Sequence, residues 1–208
     1  MDLMHALEWR YAVRSFSPER LSDDEVRQLL EATRLSASSY GLQPYRVLLV
    51  ARSDIRRRLV THSFGQEKVA DSSHLVVLAA RTDIGDGLVE DYIARLARAR
   101  GVEVESLERM ARHIKNVLAG RSHEENLQWA HQQTHIALGN LLTSAALLGI
   151  DACPMGGFDA EGFDSVLGLT ERCLTTSVIC PIGRRHAEDS AATAPKVRRD
   201  YDEMVVAL

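Results

Sequence analysis

The sequence predicts a mixed helix-and-strand domain, α+β or α/β in class, from three observations. Apolar runs that read as strands are few. Helical patterns separate them instead of tight hairpin turns. No repeat, low-complexity tract or shift of composition divides the chain, so residues 1–208 are expected to form a single domain.

The elements follow in order. Asp2 to Arg10 alternates at helical period, with Leu3, Ala6 and Leu7 on one side. Ser22 with Glu25 three residues later is a capping box, and Val26, Leu29, Leu30 and Thr33 give the helix it opens an apolar face. The small-residue run Ser36 to Ser39 ends that helix, and Tyr45 to Val50 reads as a strand. A short helix is expected from about Asp54 to His62. His74 to Ala80 is apolar enough for a strand buried on both faces. Residues from about Gly87 to Ala119 read as one or two charged helices broken near Gly101, after Gly85-Asp86-Gly87 as a turn. Ser122 with Glu125 is a second capping box, opening a helix that runs to Leu148. Its middle, Ala137 to Leu148, is apolar nearly all round and is expected to be buried on every side, inside the domain or against a partner chain. A helix from about Asp159 to Leu167, a strand from about Cys173 to Ile182 and an irregular basic tail complete the chain.

Composition excludes several function classes. The chain has 208 residues and a formal net charge of −4, with no basic excess of the kind nucleic-acid binding uses. No apolar run is long enough to span a membrane, and the N-terminus lacks a signal-peptide pattern. The three cysteines, Cys153, Cys173 and Cys180, are sparse and lack a CxxC spacing. They read as buried small hydrophobes of a cytoplasmic protein.

Candidate chemistry begins at Arg10-Tyr11-Ala12-Val13-Arg14-Ser15-Phe16. Two guanidiniums lie four residues apart, and arginine presents a planar fork of donors suited to phosphate. The same pair would also suit a surface helix end. The tail Pro195-Lys196-Val197-Arg198 offers further cations, so the two clusters together suggest an anion clamp. Gly156-Gly157, after Pro154-Met155, can bring backbone N–H groups close to a ligand or simply turn the chain. His131 and His135 share a helix face, but no third metal ligand is evident and no metal site is expected. No GxGxxG, GxxxxGK[ST] or GxSxG motif is present.

These segments, taken in order, resemble the FMN-dependent nitroreductase family of the oxygen-insensitive NAD(P)H type. The resemblance rests on Arg-x-x-x-Arg-Ser-Phe, then Ser-Ala-Ser-Ser-x-x-x-Gln-Pro-Tyr before a strand, then Pro-Met-Gly-Gly-Phe, then Pro-Lys-x-Arg, and spans Ala6 to Arg199. It implies an α+β, three-layer fold with a central mixed or antiparallel sheet flanked by helices, and a long buried helix at a homodimer interface. It implies FMN as cofactor, held at that interface, and NADH or NADPH as reductant. Arg10, Lys196 and Arg198 would hold the phosphate, helped by the backbone near Tyr11 and Ala12. Arg14 and Lys68 fall at the pyrimidine edge of the ring, where positive charge favours hydride acceptance. Ala37, Ser38, Ser39 and Gly41 match the segment that reaches the flavin from the other subunit. Pro154, Met155, Gly156 and Gly157 match the segment along the ring.

The implied activity is hydride transfer from NAD(P)H to nitroaromatics, quinones or similar electrophiles in a ping-pong scheme, with no catalytic side chain. Enone reduction, dehalogenation, flavin breakdown or flavin binding without turnover are the alternatives. The chain departs from some relatives in carrying Gly156 for an acidic residue, Gly65 for asparagine and Tyr45 for tryptophan. The first two changes imply a roomier site or a different substrate. His113, Ile114 and Val117 are expected to line the substrate channel.

Overall fold

The computed structural model describes residues 2–208. Four strands, β1 (Tyr45–Val50), β2 (His74–Arg81), β3 (Asp151–Ala152) and β4 (Leu174–Gly183), form one sheet in the order β1-β2-β4-β3. Every pairing between them is antiparallel. One parallel bridge, Ala12 to Ala152, joins the N-terminal segment to the β3 edge.

Side chains alternate across a strand, so the two central strands feed two cores. On one face Val76, Leu78, Val178 and Cys180 pack against α2 (Asp23–Arg34) and α7 (His123–Leu147) through Leu29, Leu141 and Ala145. On the other face Leu75, Val77 and Ile179 meet α3 (Ser53–Thr61), α4 (Lys68–Asp71) and α8 (Ala160–Leu167) through Leu59, Val69 and Phe163. The result is helix, sheet, helix: the three-layer α+β arrangement the resemblance implied. Between β2 and α7 the chain forms α5 (Asp86–Arg100) and α6 (Glu108–Ala119), which close a separate core with Trp129. α1 (Leu3–Trp9) lies against α7, and α9 (Tyr201–Met204) ends the tail.

Both capping boxes form, at Ser22/Glu25 and Ser122/Glu125. Gly101 ends α5 in the left-handed conformation, φ +63°, which a side chain would strain. Gly85-Asp86-Gly87 is not a free turn. Gly85 caps α5, and Asp86 and Gly87 open it. Cys153 and Cys180 are buried, but Cys173 is exposed, at φ +54° just before β4.

Of the two ways to bury the apolar middle of α7, the domain supplies only part: this chain does not cover it on every side, because Ile136 is 49% and Leu147 41% exposed. With Gly139 and Leu148 they leave a largely apolar outer stripe, which one chain alone has no element to cover.

Candidate functional site

The chain leaves α1 at Trp9 and runs extended past the β3 edge. The Ala12–Ala152 bridge, together with buried Val13 and Phe16, fixes this passage to the sheet. The C-terminal tail returns over the end of α1. There the Lys196 ammonium donates to the carbonyls of Leu7, at 2.5 Å, and Arg10, at 2.6 Å. A cation at the C-terminal end of a helix is favoured by the unpaired carbonyls there. Between the two passages lies a cleft of about 480 Å³, lined by Arg10, Tyr11, Ala12, Arg14, Lys196 and Arg198 among others. Six residues nominated from the two ends of the sequence thus share one cavity.

The cleft is electrostatically unfinished. Among the described residues, no ion pair involves Arg10, Arg14, Lys68, Lys196 or Arg198. Arg10 is half-buried, and its Nε has no hydrogen-bond partner. Burial and the neighbouring Arg198 push the Arg10 guanidinium below its ordinary pKa. Burial, Arg10 and Arg198 do the same to Lys196, against the opposing charge of Glu8, which also lines the cleft. Cations that lower one another and form no ion pair suit an anionic ligand, since an anion placed among them would remove the mutual repulsion.

Two carboxylates that the sequence did not single out hold the cleft's walls. Asp151, at the start of β3, accepts from the Arg185 backbone N–H at 2.7 Å and from Arg185 Nε at 2.8 Å. The Arg185 guanidinium lies 4.1 Å from the centre of the Trp9 ring and 4.5 Å from that of Tyr11. This packing fixes the end of α1 against the β3–β4 edge. Asp189 accepts from the Tyr11 hydroxyl and from the N–H groups of Arg14, Ser15 and Ala191. Burial opposes its ionisation, but those donors outweigh it and hold the carboxyl below the ordinary range. This contribution to stability is therefore complete above the unfolded carboxylate pKa of about 4, and is lost only as pH falls through the lower folded value. Tyr11 is pushed up to about 12 by burial and by Asp189, so its phenol remains a donor at neutral pH.

Beyond β3 the backbone stays paired with β4. Cys153 N–H donates to Pro181 and Met155 N–H to Ile179, which pins Pro154 and Met155. Gly156 and Gly157 then emerge exposed, and a Cβ built on either meets no atom within 4 Å. Their N–H groups have no acceptor among the described residues. Lys68, at the start of α4, lies near Cys153. Burial raises the Cys153 thiol above its ordinary pKa, and the charges of Lys68 and Arg10 oppose that rise. The turn before α4 also faces the glycines, with Gln66 Nε2 donating weakly to Gly157 O at 3.4 Å. Gly65 in that turn has φ +74°, a conformation asparagine also tolerates, and a side chain there would meet open space.

Ala37, Ser38, Ser39 and Gly41 line no part of this cleft. They cross between α2 and α7, where Ser39 N–H donates to the buried Gln133 of α7 at 2.8 Å. Tyr40 and Gly41 are both left-handed, and Gly41 lies tight against Tyr92 of α5. Of the residues expected to line a channel, His113 is exposed and edge-on to Tyr40, and Val117 is half-buried. Ile114 is fully buried in the α5–α6 core and cannot line a channel in this conformation. His131 is half-buried and hydrogen-bonds Ser177, while His135 is exposed.

A cleft lined by Arg10, Arg14, Lys196 and Arg198 suits an anionic group, and the exposed glycine amides beyond β3 suit a polar acceptor. Residues 7–184 match the sequence profile of the Nitroreductase family. A Staphylococcus epidermidis protein provisionally named NAD(P)H nitroreductase is 34% identical, over 98% of this chain and 95% of its own. A Bacillus subtilis structure provisionally described as a nitroreductase superposes with a TM-score of 0.88 at 20% identity, over 99% of this chain and 98% of that one. One from Exiguobacterium sibiricum, described in the same terms and in complex with FMN, gives 0.85 at 21% identity, over 100% and 98%.

Proposed function

The chain belongs to the nitroreductase family, and from that premise we propose that it is an FMN-dependent oxidoreductase. In this reading it takes hydride from NADH or NADPH and reduces nitroaromatics, quinones or similar electrophilic small molecules in a ping-pong cycle. The observation that carries the reading is the set of cations in the α1–tail cleft, none with a carboxylate partner and one with an orphaned Nε.

When bound, FMN supplies the N5 atom that accepts and delivers hydride. The protein's own groups bind and orient it. Arg10, Lys196 and Arg198 hold the phosphate, with the backbone of Tyr11 and Ala12 beside it. Arg14 and Lys68 place positive charge at the pyrimidine edge, where hydride acceptance adds negative charge. The N–H groups of Gly156 and Gly157 would serve the polar edge of the ring, with Pro154 and Met155 fixed beside them by the pairing to β4. No side chain needs to transfer the hydride, so none is named catalytic.

We also propose a homodimer, with cofactor at the interface and Ala37, Ser38, Ser39 and Gly41 serving the partner's flavin. The open apolar stripe of α7, with Leu3 and Met4 of α1 also exposed, supports it. Light scattering in solution should therefore give twice the chain mass. Among the described residues no helix is long and apolar enough to cross a membrane. The free cysteines are in keeping with a reducing cytoplasm.

The proposed activity is tested by steady-state turnover with menadione and a nitrofuran. NAD(P)H consumption should depend on the added electrophile and give parallel double-reciprocal lines. Electrophile-independent or absent consumption would contradict the reading.

Gly156 offers a narrower test. Its Cβ position is open and its φ is not left-handed, so Gly156→Glu should fold normally. The added carboxylate would stand over the ring. We expect kcat/KM for a bulky quinone to fall by about ten-fold, or about 1.4 kcal/mol in transition-state binding. FMN retention should not change. Unchanged turnover of large and small quinones alike would remove Gly156 from the substrate face.

A further inference from the structure

Asp189 is the last buried residue of the chain, at 5% exposed, and residues 192–208 beyond it are all exposed. Its two oxygens serve different segments. Oδ2 accepts from the N–H groups of Arg14 at 2.8 Å and Ser15 at 3.2 Å, and from the Tyr11 hydroxyl at 3.2 Å. Oδ1 accepts from the N–H of Ala191 at 3.0 Å, the turn that launches the tail. Among the described residues no cation pairs with Asp189, so it joins the two cleft walls without neutralising the clamp.

The two walls depend on it unequally. The N-terminal wall is fixed independently, by buried Val13 and Phe16 and by the bridges to Ala152 and Arg185. Apart from that Ala191 bond, the passage from Asp189 to Lys196 has, among the described residues, the turn hydrogen bonds of Ala192 to Asp189 and Ala194 to Ala191. Lys196 itself reaches back to α1 through a flexible side chain. Loss of Asp189 would therefore free the tail and leave Arg10 and Arg14 in place.

Resting on the FMN reading above, we propose that Asp189 is a positioning residue that holds Lys196 and Arg198 at the phosphate end of the cleft. It acts through the tail and touches no ligand itself. Its loss should cost phosphate recognition and spare recognition of the ring.

The test compares FMN with riboflavin, which has the ring and lacks the phosphate. Both are titrated by fluorescence quenching into apoprotein of the wild type, Asp189→Asn, Lys196→Met and the double variant. Asparagine keeps one carbonyl oxygen but turns an NH2 toward donors, so one segment loses its acceptor. We expect Asp189→Asn to weaken FMN about ten-fold or more, as for loss of hydrogen bonds to a charged group. Riboflavin affinity should stay within about two-fold. The losses in the double variant should be less than additive, because with Lys196 already removed Asp189→Asn displaces only Arg198. Should Asp189→Asn fail to fold, Ala191→Pro removes the tail's donor, stiffens the turn and leaves the carboxylate to the N-terminal wall, and it should reproduce the FMN-selective loss. Equal weakening of FMN and riboflavin, unchanged FMN affinity, or additive effects would overturn the inference alone. A wild-type protein that binds neither flavin would overturn the cofactor reading as well.

Discussion

Replacing Arg10 by methionine is expected to weaken FMN binding by about 10- to 100-fold without lowering the melting temperature of the apoprotein. The loss follows from removing charge-assisted hydrogen bonds to a phosphate, each worth about 1.5–3 kcal/mol. The unchanged apoprotein stability follows from the cost of keeping Arg10. It is half-buried, its Nε is unpartnered, and Arg198 and Lys196 repel it. Methionine keeps much of the apolar stem contact and removes the charge. Arg14→Ala is the contrast. It should retain FMN but lower the flavin reduction potential, because its charge serves the ring. Fluorescence titration, calorimetry of the apoprotein and redox titration with a reference dye separate the two. Equal FMN loss in both variants with wild-type potentials would refute this division.

Asp151→Ala is expected to produce the largest loss of stability, about 2–4 kcal/mol. Asp151 is 5% exposed and supplies both the acceptor for the Arg185 N–H and the counter-charge for its guanidinium. Truncation would leave a largely buried cation unpaired between Trp9 and Tyr11, the situation that makes breaking a buried pair costly. The Arg185 side chain is 23% exposed, so water recovers part of the loss and the figure lies below that for a fully enclosed pair. For a chain of this size the cost corresponds to a fall in melting temperature of about 8 °C. Replacing both partners, as Asp151→Ala with Arg185→Met, should recover part of it. A fall of less than about 2 °C for Asp151→Ala alone would show that the pair does not hold this edge.

The regular elements were legible because their patterns are local. β1 and β2 are apolar runs of strand length, α2 and α7 each begin with a complete capping box, and their starts are placed to within a residue. Arg10, Arg14, Lys196 and Arg198 were legible as cations in an acidic chain, and the cleft brings them together from opposite ends. Asp189 and Asp151 were not. One is an aspartate in an irregular tail. The other pairs with an arginine 34 residues away across the β3–β4 edge. Neither relation has a period to detect. Gly85-Asp86-Gly87 has the composition of a turn but starts a helix, since a glycine cap and a glycine turn read alike. Ile114 shares a segment with His113 and Val117, but helical geometry turns it into the core and leaves His113 outside. The apolar middle of α7 is legible as a buried surface, but whether domain or partner covers it is not: this chain leaves Ile136 and Leu147 open.

The central claim is that this chain binds FMN in the cationic cleft and accepts hydride from a nicotinamide there. Anaerobic stopped-flow mixing of the FMN-loaded protein with NADH, and separately with NADPH, tests it most directly. We expect flavin absorbance at one FMN per chain, bleached within seconds by at least one of the two. Protein that stays colourless with added FMN, or bound flavin that neither nucleotide bleaches, would contradict the account.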